Sequence, residues 1–279
     1  MQGNLAVVDR YGIIGYPISH SRSPVIHRLF ALQTNQNLQY ELIEVAPGKL
    51  DTAVREFQRT GGKGLNITLP YKSEVINLID NLSERAQTAG AVNTLIFRKN
   101  EICGDNTDGI GLIRDLLVNL ELQLANISIL ILGAGGATRG IVGPLLEAKP
   151  KSITIANRTM SKARILAEYF SAYGPVTACQ FREVLPSSSY DLVINATSAG
   201  VKGEIPSYPE SAITDRTFCY DLSYGIKTTP FCDWAVKKGA TRSVMGWGML
   251  VEQAAESFHL WRGIMPNTRN VLKQIAITA

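Results

Sequence analysis

The 279-residue sequence lacks several features that would identify whole classes of protein. No apolar run approaches the roughly 20 residues that a membrane span requires. The first ten residues, MQGNLAVVDR, contain no basic segment followed by an apolar stretch, so we expect no secretory signal. Lys and Arg number 28 against 24 Asp and Glu, and a net charge of +4 is too weak to predict nucleic-acid binding. These absences favour a cytoplasmic protein that binds neither membranes nor nucleic acids.

Cysteine and histidine are also scarce. No C-x-x-C pair occurs, and no cysteine lies beside a histidine at metal-ligand spacing, so we expect reduced thiols and no metal site. The cysteines are Cys103, Cys179, Cys219 and Cys232. Hydrophobic residues make up 45% and charged residues 19%, which is typical of a globular protein, and the length favours two domains over one.

Short apolar runs alternate with segments of helical periodicity, which predicts an α/β fold with mostly parallel sheets. In the first half we predict strands over 11–15, 40–45, 64–68 and 92–97, and helices over 24–32, 49–60 and 72–82. After a helix over 109–122, the same rhythm restarts with strands over 127–132, 152–156, 191–195 and 218–222. Helices over 248–261 and 268–275 close the chain. The pattern therefore predicts two α/β domains.

A glycine-rich turn follows the first strand of the second half. The apolar residues ILIL run into Gly133-Ala134-Gly135-Gly136-Ala137, and a helical segment comes next. Glycines let the backbone approach a pyrophosphate, and a helix N-terminus offers free N–H groups and a positive dipole end. Thr138 stands in the place of the third glycine of the G-x-G-x-x-G pattern. The context favours a dinucleotide site, with a purely structural turn as the alternative.

The next predicted strand ends in Asn157-Arg158-Thr159, with Lys162 one helical turn later. A site for NAD would have Asp or Glu about 20 residues after the glycines, to bind the ribose hydroxyls. Arg158 instead offers a planar set of donors to a phosphate, Thr159 a hydroxyl and Lys162 a further positive charge. We interpret this segment as a site for the 2′-phosphate of NADP. The alternative is an ordinary helix start with Thr159 or Ser161 as N-cap.

A small polar segment, Asn195-Ala196-Thr197-Ser198-Ala199-Gly200, follows the predicted strand over 191–195. The carboxyl ends of strands in an open α/β sheet line the ligand crevice. We therefore predict that this segment lines the path of the nicotinamide ribose, with a simple loop as the alternative.

Three polar clusters stand at strand ends in the first half, and each alone has a structural explanation. Ser23 before Pro24 predicts a helix N-cap, Asp108 could cap the following helix equally well, and a single lysine such as Lys72 is usually solvated. The clusters are His20-Ser21-Arg22-Ser23-Pro24, Asn66-Ile67-Thr68-Leu69-Pro70-Tyr71-Lys72 and Gly104-Asp105-Asn106-Thr107-Asp108-Gly109.

Taken with the glycine turn, these clusters make the sequence resemble the shikimate dehydrogenase family over nearly its whole length. Related dinucleotide enzymes share the glycine turn, but they lack the pair N-x-T-x-P-x-K and D-N-T-D-G. The matching segments, in the family's order, are YPISHSRSP, GGKGLNITLPYK, AGAVNTL, GDNTDG, GAGGATRG, ANRT, INATSAG, YDLSY and GWGMLVEQAA.

The resemblance implies two α/β domains with a cleft between them: a substrate domain over 1–108 and 246–279, and a Rossmann-like NADP-binding domain over 109–245. It also implies a catalytic pair, Lys72 and Asp108. The implied substrate-binding residues are Ser21, Ser23, Asn66, Thr68, Asn93, Tyr224 and Gln253. The implied cofactor-binding residues are Gly133, Ala134, Gly135, Gly136, Ala137, Asn157, Arg158, Thr159, Lys162, Thr197 and Gly246.

The implied activity is the reversible, NADPH-dependent reduction of 3-dehydroshikimate to shikimate, in aromatic amino-acid biosynthesis. An amine and a carboxylate at one oxygen suit this chemistry, because hydride transfer requires a proton to reach or leave the same oxygen. Two alternatives stay open: a quinate/shikimate dehydrogenase that uses both NAD and NADP, and a non-catalytic regulator that binds nucleotide or shikimate. The sequence leaves open whether the chain is a monomer or a homodimer.

Overall fold

The computed structural model describes residues 8–99, 101–184, 190–197 and 208–278. These residues form two compact units. Unit 1 contains the chain up to Gly111 together with Leu250–Thr278, and unit 2 contains Leu112–Met249. The sequence predicts the two boundaries after residues 108 and 245, whereas the contacts in the structure place them after Gly111 and Met249. Within the described residues, no helix is long and apolar enough to cross a membrane.

Unit 1 contains a six-stranded sheet in the order β2-β1-β3-β5-β6-β4. Its strands are β1 Asp9–Gly15, β2 Leu38–Glu44, β3 Gly62–Ile67, β4 Asn81–Leu82, β5 Thr94–Arg98 and β6 Glu101–Asp105. β1 runs parallel to β2 and β3, but β5 is antiparallel to both β3 and β6. The expectation of a mostly parallel sheet is therefore too simple here, because β5 and β6, which are consecutive in the chain, pair antiparallel.

The helices of unit 1 come from both ends of the chain. They are α1 Ser23–Thr34, α2 Leu50–Arg59, α3 Glu84–Ala89, the start of α4 Asp108–Arg114, most of α8 Trp247–Arg262, and α9 Thr268–Thr278. α1 begins at Ser23 with Arg22 in the N-cap position, so the prediction of Ser23 as N-cap is wrong. The helical turn starts one residue earlier than expected, because the N–H groups of Val25 and Ile26 both donate to the Arg22 carbonyl.

The segment over 72–82 is not the helix that its apolar spacing predicts. It forms a short 3-10 helix, Glu74–Leu78, and then the strand β4, which pairs with β6. Asp80 holds this arrangement, because its N–H donates to the Ile102 carbonyl and its carboxylate accepts the Ile102 N–H. Pairing with a strand 20 residues away therefore outweighs the local helical periodicity.

Unit 2 contains a six-stranded parallel sheet in the order β12-β11-β10-β7-β8-β9. The strands are β7 Ser128–Leu132, β8 Ser152–Ala156, β9 Val176–Cys179, β10 Leu192–Asn195, β11 Phe218–Asp221 and β12 Arg242–Met245. The helices that follow β7, β8 and β11 are α5 Gly136–Glu147, α6 Met160–Phe170 and α7 Pro230–Lys237. Sequence periodicity misses the edge strands β9 and β12, which are short and only partly buried.

The central strand β7 shows why the second sheet is easy to predict. Ile129 and Ile131 pack into one hydrophobic cluster, and Leu130 and Leu132 pack into another. A parallel strand covered on both faces needs such an unbroken apolar run. Burial on both faces fixes the sheet and brings the glycine turn to the carboxyl end of a central strand.

Candidate active site and cofactor site

Lys72 and Asp108 form an ion pair in unit 1. The Lys72 Nζ atom lies 2.5 Å from Asp108 Oδ2, and the two side chains are 14% and 5% exposed. Lys72 is held after β3 because its carbonyl accepts the Val92 N–H at 2.7 Å. Asp108 begins α4, and its N–H donates to the Asn106 side chain at 3.1 Å. Asn106 therefore supplies the capping contact, which leaves the Asp108 carboxylate to Lys72.

The Asn93 carboxamide joins this pair to the loop before α4. Its Nδ2 atom donates to Asp108 Oδ1 at 2.9 Å and to Thr107 Oγ1 at 2.8 Å. Its Oδ1 atom accepts the backbone N–H of Thr107 at 2.8 Å and the Thr94 hydroxyl at 2.8 Å. A backbone N–H is only a donor, so this contact fixes which end of the amide faces Asp108. Asn93 is thus engaged mainly in orienting Asp108, a role that the sequence does not indicate.

Asn66, at the end of β3, is held in the same way. Its Nδ2 atom donates to the Asn93 carbonyl at 3.1 Å, to Thr94 Oγ1 at 3.1 Å and to Ser257 Oγ at 3.0 Å. Its Oδ1 atom accepts the Tyr40 hydroxyl at 2.7 Å, and the buried His27 ring also interacts with the Asn66 side chain. Both ends of the Asn66 amide are therefore held by groups of unit 1.

The other residues of unit 1 that the sequence predicts to bind substrate are less tightly engaged. Ser21 Oγ donates to Ser23 Oγ at 3.2 Å, and Ser23 is buried while Ser21 is half-buried. Thr68 is half-buried, and its backbone N–H donates to the Ile14 carbonyl. Gln253, on α8, accepts from Asn93 Nδ2 at 3.4 Å and donates to the Leu250 carbonyl. The structure thus gathers Lys72, Asp108, Asn93, Asn66 and Gln253 into one hydrogen-bonded group.

A second buried network supports the loop between β6 and α4. Arg85 contacts both carboxylate oxygens of Asp105, at 2.6 and 2.9 Å, and Glu256 Oε1 at 3.1 Å. Burial lowers the pKa of Arg85, but the hydrogen bonds and charges of Asp105 and Glu256 together raise it by more. The pKa of Arg85 is therefore shifted upward. Asp105 also accepts the Ser83 hydroxyl and the Asn106 N–H. These contacts fix the backbone that carries Asp108.

The glycine turn of unit 2 has the geometry that a cofactor phosphate needs. Gly133 has a φ of +110°, and a Cβ there would lie 2.9 Å from the Ala196 carbonyl oxygen, so glycine is required for the fold. A Cβ at Gly135 would meet no atom within 4 Å, because this part of the turn faces open space. Gly136 begins α5, and the Thr138 hydroxyl donates to the Gly133 carbonyl. The residues present therefore fit a bound pyrophosphate beside Ala134 and Ala137.

The segment after β8 places its basic residues on the surface. Arg158 and Lys162 are exposed, and Asn157 Nδ2 donates to the Thr159 carbonyl at 2.9 Å. Thr159 holds the N-cap position of α6 but makes no side-chain capping bond. Its hydroxyl therefore does not cap the helix, which the alternative of an ordinary helix start with Thr159 as N-cap would require. These side chains are placed where a phosphate could reach them.

The segment after β10 is anchored by a buried carboxylate. Asn195 Nδ2 donates to Asp221 at 3.0 Å, and Asn195 Oδ1 accepts both the N–H and the hydroxyl of Thr197. Burial raises the pKa of Asp221. The remaining predicted residues, Ser198 to Gly200, lie outside the described residues.

Two further predicted residues, Tyr224 and Gly246, lie in unit 2. The Tyr224 ring centroid is 4.7 Å from that of Trp247. A Cβ at Gly246 would lie 2.7 Å from the Leu222 carbonyl oxygen, so this glycine allows a close approach of two backbone segments. Because Tyr224 belongs to unit 2, it is not among the residues that unit 1 gathers around Lys72.

Sequence reasoning missed several members of the unit 1 network. The motif GDNTDG contains Asp105, Asn106 and Thr107, but the sequence predicts a role only for Asp108. Their position next to Asp108 is the sequence feature that could have indicated a supporting role. Tyr40, Arg85 and Ser257 carried no local signal, because they reach the site from distant elements.

A glycine turn on a parallel sheet in one unit, and a buried lysine–carboxylate pair in the other, define an α/β protein of the dinucleotide-binding class. Three family models match the chain. They are the shikimate dehydrogenase substrate-binding domain over residues 13–95, shikimate/quinate 5-dehydrogenase over 117–204, and the shikimate 5′-dehydrogenase C-terminal domain over 246–275.

Similar proteins are known from several bacteria. The chain is 49% identical to a shikimate dehydrogenase (NADP(+)) from Chromobacterium violaceum, covering 96% of this chain and 98% of that protein. It is 51% identical to one from Methylococcus capsulatus, covering 96% of each. A solved structure of the Thermus thermophilus enzyme in complex with NADP(H) and shikimate has 30% identity and a TM-score of 0.84, over 95% of this chain and 98% of that one. The chain belongs to the shikimate dehydrogenase family.

Proposed function

We propose that this protein is an NADP-dependent shikimate dehydrogenase that interconverts 3-dehydroshikimate and shikimate. The observation that carries the proposal is the buried contact of 2.5 Å between Lys72 Nζ and Asp108 Oδ2. Curated relatives with this activity match nearly the whole chain, which supports the same reaction here.

In the reducing direction, NADPH when bound supplies a hydride to the carbonyl carbon, and the carbonyl oxygen takes up a proton to become the alcohol. Lys72 donates that proton or stabilises the negative charge as it develops on the oxygen, and Asp108 orients the ammonium group. In the reverse direction the same pair removes the hydroxyl proton. Asn93 keeps the Asp108 carboxylate in place through its contact of 2.9 Å.

The substrate is held by hydroxyl and amide groups of unit 1. Ser21 donates to Ser23, so the Ser23 hydroxyl proton is directed to the substrate carboxylate. Asn66, Thr68 and Gln253 contact the ring hydroxyls. We assign Tyr224 to the carboxylate as well, because the resemblance to the family implies that contact.

The cofactor is held by unit 2. Gly135, Gly136 and the N-terminus of α5 would hold the pyrophosphate, because a Cβ at Gly135 would meet only open space. Arg158 and Lys162 attract the 2′-phosphate, with Asn157 and Thr159 beside them. Thr197 and Gly246 line the nicotinamide side. The structure of the Thermus thermophilus relative with NADP(H) supports NADP as the cofactor here.

A cytoplasmic location is part of the proposal. All four cysteines are free thiols, which is usual where the cell keeps thiols reduced.

The test is a spectrophotometric assay of the purified protein with shikimate and NADP+. We expect the absorbance of the reduced nicotinamide to rise, and no change at any protein concentration would contradict the proposal. Parallel assays with quinate and with NAD+ at equal concentrations test the broader dehydrogenase that the shikimate/quinate family model names. We expect shikimate with NADP+ to give the highest rate.

A further inference from the structure

Ser257 contacts both Asn66 and Thr107, two members of the hydrogen-bonded group of unit 1. Among the described residues, its contacts do not include Lys72 or Asp108. The residue is fully buried on α8. Its Oγ atom accepts from Asn66 Nδ2 at 3.0 Å, and it lies 2.8 Å from Thr94 Oγ1 and 3.1 Å from Thr107 Oγ1. It also lies 3.1 Å from the Gln253 carbonyl, one helical turn earlier.

Through these contacts, Ser257 connects the amide of Asn66 to the carboxylate of Asp108. Thr107 Oγ1 accepts one N–H of Asn93 at 2.8 Å, and the other N–H of Asn93 reaches Asp108 at 2.9 Å. Since Thr107 accepts from Asn93, its own proton is available to Ser257. A continuous path of hydrogen bonds therefore runs from Asn66 through Ser257, Thr107 and Asn93 to Asp108.

We propose that Ser257 is a positioning residue for the reaction, which sets the orientation of the Asn93 amide and thereby of Asp108. The proposal rests on the function proposed above. Thr107 Oγ1 lies 3.2 Å from Asn93 Oδ1 as well as 3.1 Å from Ser257. Without the Ser257 oxygen, the Thr107 proton turns to Asn93 Oδ1, and Thr107 Oγ1 loses a contact that holds it beside the N–H group of that amide.

The same loss affects Asn66. Its Nδ2 atom carries two hydrogens and has three acceptors, so without Ser257 the hydrogens are left to Thr94 Oγ1 and the Asn93 carbonyl, both at 3.1 Å. The amide would then shift toward Thr94 and the Asn93 carbonyl. Both a substrate contact and the catalytic carboxylate are therefore expected to respond to one hydroxyl on α8.

Two substitutions separate hydrogen bonding from packing. Ser257→Ala removes the oxygen and keeps a good helix former, so α8 is expected to fold. Ser257→Cys nearly preserves the volume but replaces the hydroxyl with a thiol, which is a weak donor and acceptor. The matched control is Thr34→Ala, which removes a half-buried helix hydroxyl that donates to the Phe30 carbonyl.

The experiment measures kcat and the KM values for shikimate and NADP+ in the wild type and the three variants, with thermal unfolding of each. We expect kcat to fall about tenfold in both Ser257 variants, equivalent to about 1.4 kcal/mol, with a higher KM for shikimate and an unchanged KM for NADP+. Thr34→Ala should behave as the wild type.

Three results would overturn the proposal for Ser257: wild-type kinetics in Ser257→Ala, wild-type kinetics in Ser257→Cys, or an equal rise in both KM values with kcat unchanged. An inactive wild type would instead contradict the proposed function. If one Ser257 variant unfolds at the assay temperature, the other variant provides the test. Single-turnover rates of both variants at a lower temperature are then judged by the same criteria.

Discussion

The two units differ in how they present polar groups: unit 1 buries them around Asp108, whereas unit 2 leaves backbone and charged groups accessible. In unit 1, the polar side chains around Asp108 hydrogen-bond to one another, as four of the contacts of Asn93 illustrate. In unit 2, the important residues are those without side chains, since a Cβ at Gly135 would project into open space. The comparison teaches that proton transfer requires groups fixed in advance, whereas cofactor binding requires accessible backbone and exposed charge.

The largest predicted effect separates chemistry from cofactor binding. Lys72→Ala should lower kcat by roughly a hundredfold to ten-thousandfold, the usual contribution of general acid–base catalysis. The dissociation constant for NADPH, measured by the fluorescence of the nicotinamide, should stay unchanged. The control is Lys63→Ala, which removes an exposed lysine of the neighbouring strand β3. Turnover of Lys72→Ala near the wild-type rate would remove Lys72 from the reaction.

The second prediction concerns the exposed charge of unit 2. Arg158→Ala should raise the KM for NADP+ by roughly tenfold to a hundredfold, because a hydrogen bond to a charged group contributes about 1.5–3 kcal/mol. The KM for NAD+, which has no 2′-phosphate, should hardly change. The matched control is Arg164→Ala, which removes an exposed arginine of the following helix α6. Equal effects on the two cofactors would exclude the phosphate contact.

The third prediction compares two glycines of one turn. Gly135→Ala should weaken NADPH binding by about tenfold, corresponding to about 1.4 kcal/mol, and should leave the melting temperature unchanged because the methyl group meets no protein atom. Gly133→Ala should lower the melting temperature, because its φ is +110° and a Cβ would collide with Ala196. Calorimetry and cofactor titration of both variants provide the measurement. Equal NADPH affinity in Gly135→Ala and wild type would mean that the cofactor does not use this space.

The last prediction concerns the pH dependence of the stability of unit 1. His27 is fully buried, stacked on Tyr40 with ring centroids 4.2 Å apart, and burial lowers its pKa to about 3 from 6.5. Between these values the unfolded chain binds a proton that the folded chain does not, so stability is lost as the pH falls through that window. The slope is up to about 1.4 kcal/mol per pH unit.

Urea unfolding of the wild type and His27→Gln tests this prediction. It is measured at several pH values between 7 and about 4, because the unfolded chain takes up the His27 proton in this range. The variant should lose this contribution to the acid slope. His259→Gln, which changes an exposed histidine of α8, should keep the wild-type slope. An unchanged slope in His27→Gln would show that His27 takes up its proton in the folded state.

The sequence predicts the elements whose signal is local and strong. The strand β7 and the glycine turn follow from one apolar run and the residues after it. The helix expected over 72–82 fails because β4 pairs with β6, and helical spacing contains no information about that partner. The same limit applies to the site. Lys72 and Asp108 stand in recognisable motifs, but Tyr40 and Ser257 reach Asn66 from distant elements, and only the three-dimensional fold brings them together.

The central claim is that the two units divide the work, with Lys72 acting on the proton and Arg158 on the cofactor phosphate. A double-mutant cycle on kcat/KM for NADP+ tests it most directly, using Lys72→Ala, Arg158→Ala and the double variant. Independent roles predict that the two fold-reductions multiply, within about 0.5 kcal/mol of additivity. A double variant no worse than Lys72→Ala alone would contradict the division.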